Sequence, residues 1–306
     1  MTKPRMLRMP GLLARRGKHD RYTIAPLTLI SANVVLFGLF FAWPAVIGLV
    51  YSFTNYTGVG AYQFIGLANY THLFGDSNFY AALERTLLYA ALVVPLNFVF
   101  SLLIANLLIS QHAKGKLVAR IIFFVPWLIS PIIVGVIWRW LFGENFGLIN
   151  YLIEKLGGHA ILWQSNANLS LAVVVCAAVW SGTAFSMLLF IAAIKNVPTS
   201  YYEAAALDGA GPWHLFRYIT LPGIAPTSFI VILLCTLTAM KEYPLFLSLN
   251  NGGPGTSNNL IVQYIYNTGF NLGQIGYASA ASFVLLLILM AVAFIQMAVN
   301  RRMERS

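Results

Sequence analysis

Glu203-Ala204-Ala205, then Asp208-Gly209, then Ile219, Leu221 and Pro222, form the most informative set of side chains in this 306-residue sequence. They lie in a polar island, 202–226, between two long apolar stretches. The types and spacing suit mechanical work: small helix formers, a glycine where the chain must reverse, and a proline where a helix is expected to stop. Bond-breaking constellations are missing. Gly17-Lys18 is followed by His19 and Gly115-Lys116 by Leu117, so neither lysine has the hydroxyl of a phosphate loop beside it. No H-E-x-x-H or G-x-S-x-G occurs. His19, His72, His112, His159 and His214 fall in expected loops or tails, too dispersed for a metal site. Cys176 and Cys235 sit in apolar runs and read as small apolar residues. The chain is therefore expected not to be an enzyme.

The elements around the island follow from composition. Hydrophobic residues make up 59% of the chain and charged residues 9%, far below the roughly 25% charged of a soluble domain. Asp, Glu, Lys and Arg are absent from 22–75, 86–113, 121–138, 156–194, 218–240 and 243–300. A bilayer core about 30 Å thick needs ~20 apolar residues in helix. Six spans are expected, near 27–50, 87–109, 118–140, 170–193, 224–242 and 277–299. Their apolar runs are continuous rather than alternating, so they predict helices and not a barrel. The expected fold is all-α, a polytopic membrane protein with a helix-turn-helix loop at 198–223. A basic tail, 1–24, precedes the six-span domain, 25–300, and a short tail, 301–306, follows it. The first apolar run is too long for a cleaved signal peptide.

Six spans divide the 19 Lys and Arg unevenly between the two sides. The side with both tails, Lys114, Lys116, Arg120, Lys195 and Arg217 collects fifteen, and the other side has Arg85, Arg139, Lys155 and Lys241. Positive charge marks the cytoplasmic face, which places both termini and the 195–223 loop there. The net charge of +10 thus serves insertion and contact with membrane lipids, not nucleic acid. Few ionisable groups lie near the expected midplane, which disfavours an ion-coupled carrier acting alone.

Within the island, Pro198 ends the fourth span, and Ser200-x-x-Glu203 predicts a capping box starting a new helix. Asp208-Gly209 breaks that helix, glycine supplying a positive φ. A second short helix is expected from Trp213 to Ile219, stopped at Leu221-Pro222.

The spacing E-A-A-x(3)-G-x(9)-I-x-L-P matches the coupling loop of binding-protein-dependent ABC importer permeases, and the chain resembles their carbohydrate branch, maltose-type. Phe64 to Tyr70 (FIGLANY), Arg120 to Pro131 (RIIFFVPWLISP), Gly135 to Arg139 (GVIWR) and Asn250 to Thr256 (NNGGPGT) support the likeness. It implies a permease subunit in a bacterial or archaeal cytoplasmic (inner) membrane, working by alternating access. The implied partners are a second related permease, two cytosolic ATP-binding subunits and an extracytoplasmic solute-binding protein. No cofactor is implied in this chain; ATP and Mg belong to the ATPase subunits. Glu203, Ala204, Ala205, Asp208, Gly209, Ile219, Leu221 and Pro222 are implied to dock the ATPase, with Glu203 either a contact or a cap. Gly252, Gly253 and Pro254 resemble the segment that meets the binding protein, and also fit an ordinary glycine-rich connector.

Aligned on these motifs, sugar contacts fall on Ser181, Gly182 and Phe185, with Ala178, and on Thr238, Ala239 and Glu242, with Cys235. Both sets recur at i, i+3, i+4, i+7, one helical face each. Small residues on one face also serve span-to-span packing. The implied cargo is a di- or oligosaccharide. A glycerol phosphate or polyol importer is the alternative within the architecture, and a membrane-embedded enzyme or an ion-coupled carrier lies outside it.

Overall fold

The computed structural model describes residues 30–109 and 115–303; the expected 1–24 tail, Lys114 and residues 304–306 lie outside them. The chain divides after Val50. In the first unit the described residues form one helix, α1 (Ile30–Tyr51), widened by a π-turn at Gly38–Ala42.

The regular elements of the second unit are helices, and β-pairing among its described residues is limited to an isolated bridge between Thr54 and Phe64. Its elements are α2 (Ala68–Gly75), α3 (Ser77–Ile109), α4 (Lys116–Leu128), α5 (Pro131–Leu141), α6 (Leu148–Lys155) and α7 (Ala167–Asn196). There follow α8 (Thr199–Leu207), α9 (Pro212–Gly223), α10 (Ala225–Ala239), α11 (Pro244–Leu249), α12 (Ile261–Tyr266) and α13 (Ile275–Met303). Four helices, α1, α3, α7 and α13, are long and apolar enough to cross a membrane unaided. They cover the first, second, fourth and sixth expected spans.

The third and fifth expected spans are not straight helices. Instead of one rod at 118–140, α4 and α5 meet at 101°. Pro131 opens α5, and the residue before a proline is pushed out of the helical region; Ser130 accordingly sits at ψ 138° and Ile129 at ψ 136°. The fifth span stops at Ala239 rather than 242, and α9 meets it at 69°. With 15 residues, α10 is only ~22 Å long. Each bent pair counts as one span if six are to be reached.

Packing centres on α7, which lies against α3 along its length. Tyr89, Val93, Val174 and Phe246 belong to one buried cluster, with the Tyr89 and Phe246 rings edge-on at 4.9 Å. A second cluster joins Leu102, Ala105, Met187, Phe190, Ile194 and Ile224. A third holds Leu73, Phe79, Ile261, Tyr277 and Ala281. Lipid tails are as apolar as leucine, so these contacts stabilise through close packing, at ~0.1–0.2 kcal/mol per atom pair.

Polar bonds pin the short segments at the α2 end. The Asn69 amide, 8% exposed, donates to the carbonyls of Ser52 (2.8 Å) and Thr54 (2.9 Å), tying the FIGLANY segment to the stretch that opens just after Tyr51. Asn69→Leu loses both bonds and is expected to cost about 2–3 kcal/mol, read as a lower unfolding temperature and proteolysis between 54 and 66. Asp76 Oδ2 accepts from the hydroxyls of Tyr264 (2.6 Å) and Tyr277 (2.9 Å). Burial works to raise the Asp76 pKa, but the bonds from Tyr264, the Asn78 amide, Tyr277 and the Phe79 amide outweigh it and hold the carboxyl below the usual range.

A depressed folded pKa stabilises fully above the unfolded value, about 4, and the contribution is lost as pH falls through the folded value. The unfolding temperature is expected to drop across that acidic window in the native chain and to drop less in Asp76→Asn. Equal slopes for the two would contradict this.

Candidate functional site

The polar island folds as an elbow. α8 begins at Thr199 with Pro198 as its cap residue and no side-chain capping bond. The expected Ser200–Glu203 capping box is therefore not formed. The cap falls on Pro198, two residues before Ser200, which carries Ser200 into the first turn, where its oxygen has lost the cap position. Glu203 is exposed. At the far end, the Gly209 amide donates to Ala206 O (3.1 Å) and the Ala210 amide to Ala205 O (3.0 Å). That pair of bonds is a Schellman closure, and it sets Gly209 at φ +77° as expected.

The second arm, α9, differs from expectation. It runs through Leu221-Pro222 to Gly223 instead of stopping there, because a π-turn at Phe216–Thr220 widens the helix just before the proline. The Leu221 amide reaches back to Phe216 O, so the missing Pro222 donor and its ring are accommodated. The break comes at Gly223–Ile224, where a Cβ on Gly223 would lie 2.8 Å from Val197 Cγ2. The Tyr202 hydroxyl, 3.0 Å from Thr220 Oγ1, clasps the two arms.

The eight expected docking residues divide between two surfaces. Ile219 and Leu221 pack inward against the cluster of Leu108, Ile194 and Ile224 and anchor the elbow. Glu203, Ala204, Asp208, Gly209 and Pro222 are exposed, and Ala205 is half-buried. Beside them stand Leu207, 90% exposed, Trp213, 68%, and Tyr218, 69%. Apolar side chains this large and this exposed have no core to fill in the chain itself. Sequence reasoning passed over these three, although their large apolar side chains within a polar island were a signal.

Half-way along α7 a cavity of about 500 Å³ opens between α3, the α4–α5 break, α7 and the α10–α11 corner. All six residues expected in the solute pathway, Ser181, Gly182, Phe185, Thr238, Ala239 and Glu242, line it, as do Ala178 and Cys235. Phe185 stacks on Trp127, centroids 5.6 Å apart and planes at 17°. Ser181 Oγ donates to Ala177 O at 3.0 Å, a bond that uses its proton and not its acceptor lone pairs. Glu242 Oε1 accepts from the backbone amides of Tyr243 and Leu245, both at 3.1 Å, and so holds the start of α11. The bend at Ile129 supplies a wall that a straight helix would not; Pro126, Trp127, Ile129 and Pro131 all face the cavity. Asn97 and Tyr89 of α3 also line it. Neither was singled out from sequence, where an amide inside an apolar span was the available signal.

The glycine-rich loop lies at the opposite end of α7 from the elbow, about 45 Å away for 30 helical residues. Gly253 O accepts from the Ser170 hydroxyl and from the amides of Asn250 and Asn258. Asn258 also donates to Ala167 O. Gly252, at φ +78°, is buried, and Gly253 and Pro254 are half-buried; Asn251, Gly255 and Thr256 present the exposed surface. Nearby, Glu144 accepts from the Gln164 and Ser165 amides and the Ser165 hydroxyl.

A helical membrane bundle with broken spans, a cavity at mid-depth and a surface elbow is the architecture of a transport subunit. The chain belongs to the family of the binding-protein-dependent transport system inner membrane component, whose model matches residues 97–305, and it is the permease subunit of an ABC importer. It is 32% identical over 297 residues to a probable ABC transporter permease protein, y4oQ, of Sinorhizobium fredii, covering 96% of this chain and 95% of that one. It is 31% identical over 276 residues to the sn-glycerol-3-phosphate transport system permease protein UgpA of Yersinia pestis, covering 89% and 92%. Its fold is that of a chain in the crystal structure of a bacterial ABC transporter involved in the import of alginate. That match has a TM-score of 0.82 at 22% identity and covers 92% of this chain and 97% of the other. A second crystal structure of the alginate transporter, in complex with pentasaccharide-bound periplasmic protein, matches with a TM-score of 0.79 at 21% identity and covers 93% and 96%.

Proposed function

We propose that this permease imports a carbohydrate, a di- or oligosaccharide, by alternating access driven by ATPase partners seated on the 198–223 elbow. The observation that carries the reading is the convergence of two sets of residues, chosen from separate spans, on one cavity at mid-bundle. Its volume falls within the range that encloses small ligands. Phe185 and Trp127 offer a flat apolar surface to a sugar ring, and Ser181, Thr238 and Glu242 offer hydrogen bonds to hydroxyls.

The elbow, with both termini, faces the cytoplasm in this reading, because the basic residues collect there. ATP and Mg²⁺ bind between two cytosolic partner subunits, whose grooves receive Glu203, Leu207, Gly209 and Pro222. The glycine-rich loop faces outward and meets a solute-binding protein through Asn251, Gly255 and Thr256, with Gly252, Gly253 and Pro254 shaping the turn beneath. A second, related permease completes the pathway. Closing the ATPase dimer moves the elbow as a rigid body, and the spans rock about the cavity. The relative from Yersinia supports glycerol phosphate as the second candidate cargo.

Reconstitution with the co-purifying subunits tests the proposal. Uptake should require both internal ATP and an external binding protein. Uptake by the purified chain alone, driven by an ion gradient, would eliminate it.

A further inference from the structure

Asn97 lines this cavity and is a polar residue that the expected pathway does not use. It sits on α3 at 2% exposure, and its Oδ1 has no hydrogen-bond partner among the described residues. Its Nδ2 lies 2.8 Å from the position a Cβ on Gly182 would occupy, so the absent side chain of Gly182 is what leaves room for this amide. A buried amide oxygen without a donor is costly in a span, and such groups persist where a ligand completes them. The remaining polar lining is made of hydroxyls and one carboxyl, Glu242, whose second oxygen is not needed to hold α11.

No Lys, Arg or His is among the residues that line the cavity. Lys241, next to Glu242, is exposed and stands outside the lining. A phosphate or uronate brought here would meet a carboxyl and no cation to replace its lost hydration.

We propose that Asn97 joins Glu242, Ser181 and Thr238 as a polar contact of a solute site that binds hydroxyl-bearing uncharged groups and rejects anions. The inference rests on the cavity being the solute pathway. Asn97 offers a hydroxyl both a donor and an acceptor, and Glu242 accepts from one or two hydroxyls. Gly182 keeps the space between amide and solute open.

The test uses thiol labelling of the assembled importer in membranes, which needs no transport and so separates this proposal from the importer reading. Asn97→Cys in a Cys176→Ser, Cys235→Ser background is treated with a trimethylammonium methanethiosulfonate and with its sulfonate counterpart. Relative to the rates of a free thiol in solution, which already favours the cation, the cationic reagent should be preferred about tenfold further, as expected beside one carboxylate in a narrow cleft. Glu242→Gln should collapse that ratio. If Asn97→Cys fails to assemble, native Cys235, which lines the same cavity, becomes the reporter. Asn97→Asp should then raise its preference for the cation further. No labelling at either thiol, or a preference for the cation no larger than that of a free thiol, would overturn the proposal.

Discussion

With an ATPase seated on the elbow as proposed, Gly209→Val is expected to release that partner while the permease stays inserted and folded. Gly209 closes the Schellman turn at φ +77°, a conformation that costs an L-residue ~1–2 kcal/mol and a β-branched one more. A Cβ there meets no atom within 4 Å, so crowding plays no part and backbone strain decides the outcome. The relaxed turn would swing α8 against α9 and shift Glu203 and Leu207 relative to Trp213. About 2 kcal/mol of lost fit is roughly a thirtyfold weaker association. The series should be graded, with Asn nearly neutral because it tolerates this region, Ala intermediate and Val worst. Co-purification of the ATPase subunits from solubilised membranes gives the readout. Full association in Gly209→Val would show that the elbow is not the dock.

The second large effect is expected at the corner that walls the cavity. A Cβ on Gly135 of α5 would fall onto the Ser248 side chain of α11, 2.9 Å from its Cβ and 3.0 Å from Leu245 O. Ser248 is itself held by bonds to Pro244 O (2.9 Å) and Leu245 O (3.2 Å), so it yields little. Gly135→Ala must therefore push the helices apart, carrying Leu245 and Phe246, both 2% exposed or less, out of the core. Overpacking of this sort costs about 1–3 kcal/mol. Gly135→Leu should prevent assembly. The control is the pair Gly135→Ala with Ser248→Gly, which removes the obstructing side chain and should restore most of the loss. Thermal unfolding and the yield of assembled complex read both. Wild-type stability in Gly135→Ala alone would refute this account of the corner.

Much of the protein was legible in its sequence. Continuous charge-free runs named the class and put apolar segments where the helices lie. Lipid cannot satisfy backbone amides, so length and hydropathy suffice to predict helix. The glycine of the elbow was also readable, because a helix followed by Asp-Gly has few ways to end. The sets with Ser181 and Phe185, and with Thr238 and Glu242, came from the family resemblance; α7 carries the first set on one face, while α10 ends at Ala239 and leaves Glu242 beyond it.

Other features depended on what packs where. Pro131 and Pro222 look alike in sequence, yet one accompanies a 101° corner and the other is absorbed by a π-turn. A proline only removes a donor and excludes some conformations; its surroundings choose between bend and bulge. The capping box failed for a related reason, since Pro198 took the cap two residues before Ser200. Asn97 carried no local signal distinguishing it from Asn106, whose amide bonds Leu102 O within its own helix at 2.9 Å. Segment chemistry is local, so the chain alone determined that it enters a membrane as helices and ends one of them in an elbow. A cavity exists only between segments, and the fold alone decided which buried amide would face an empty space.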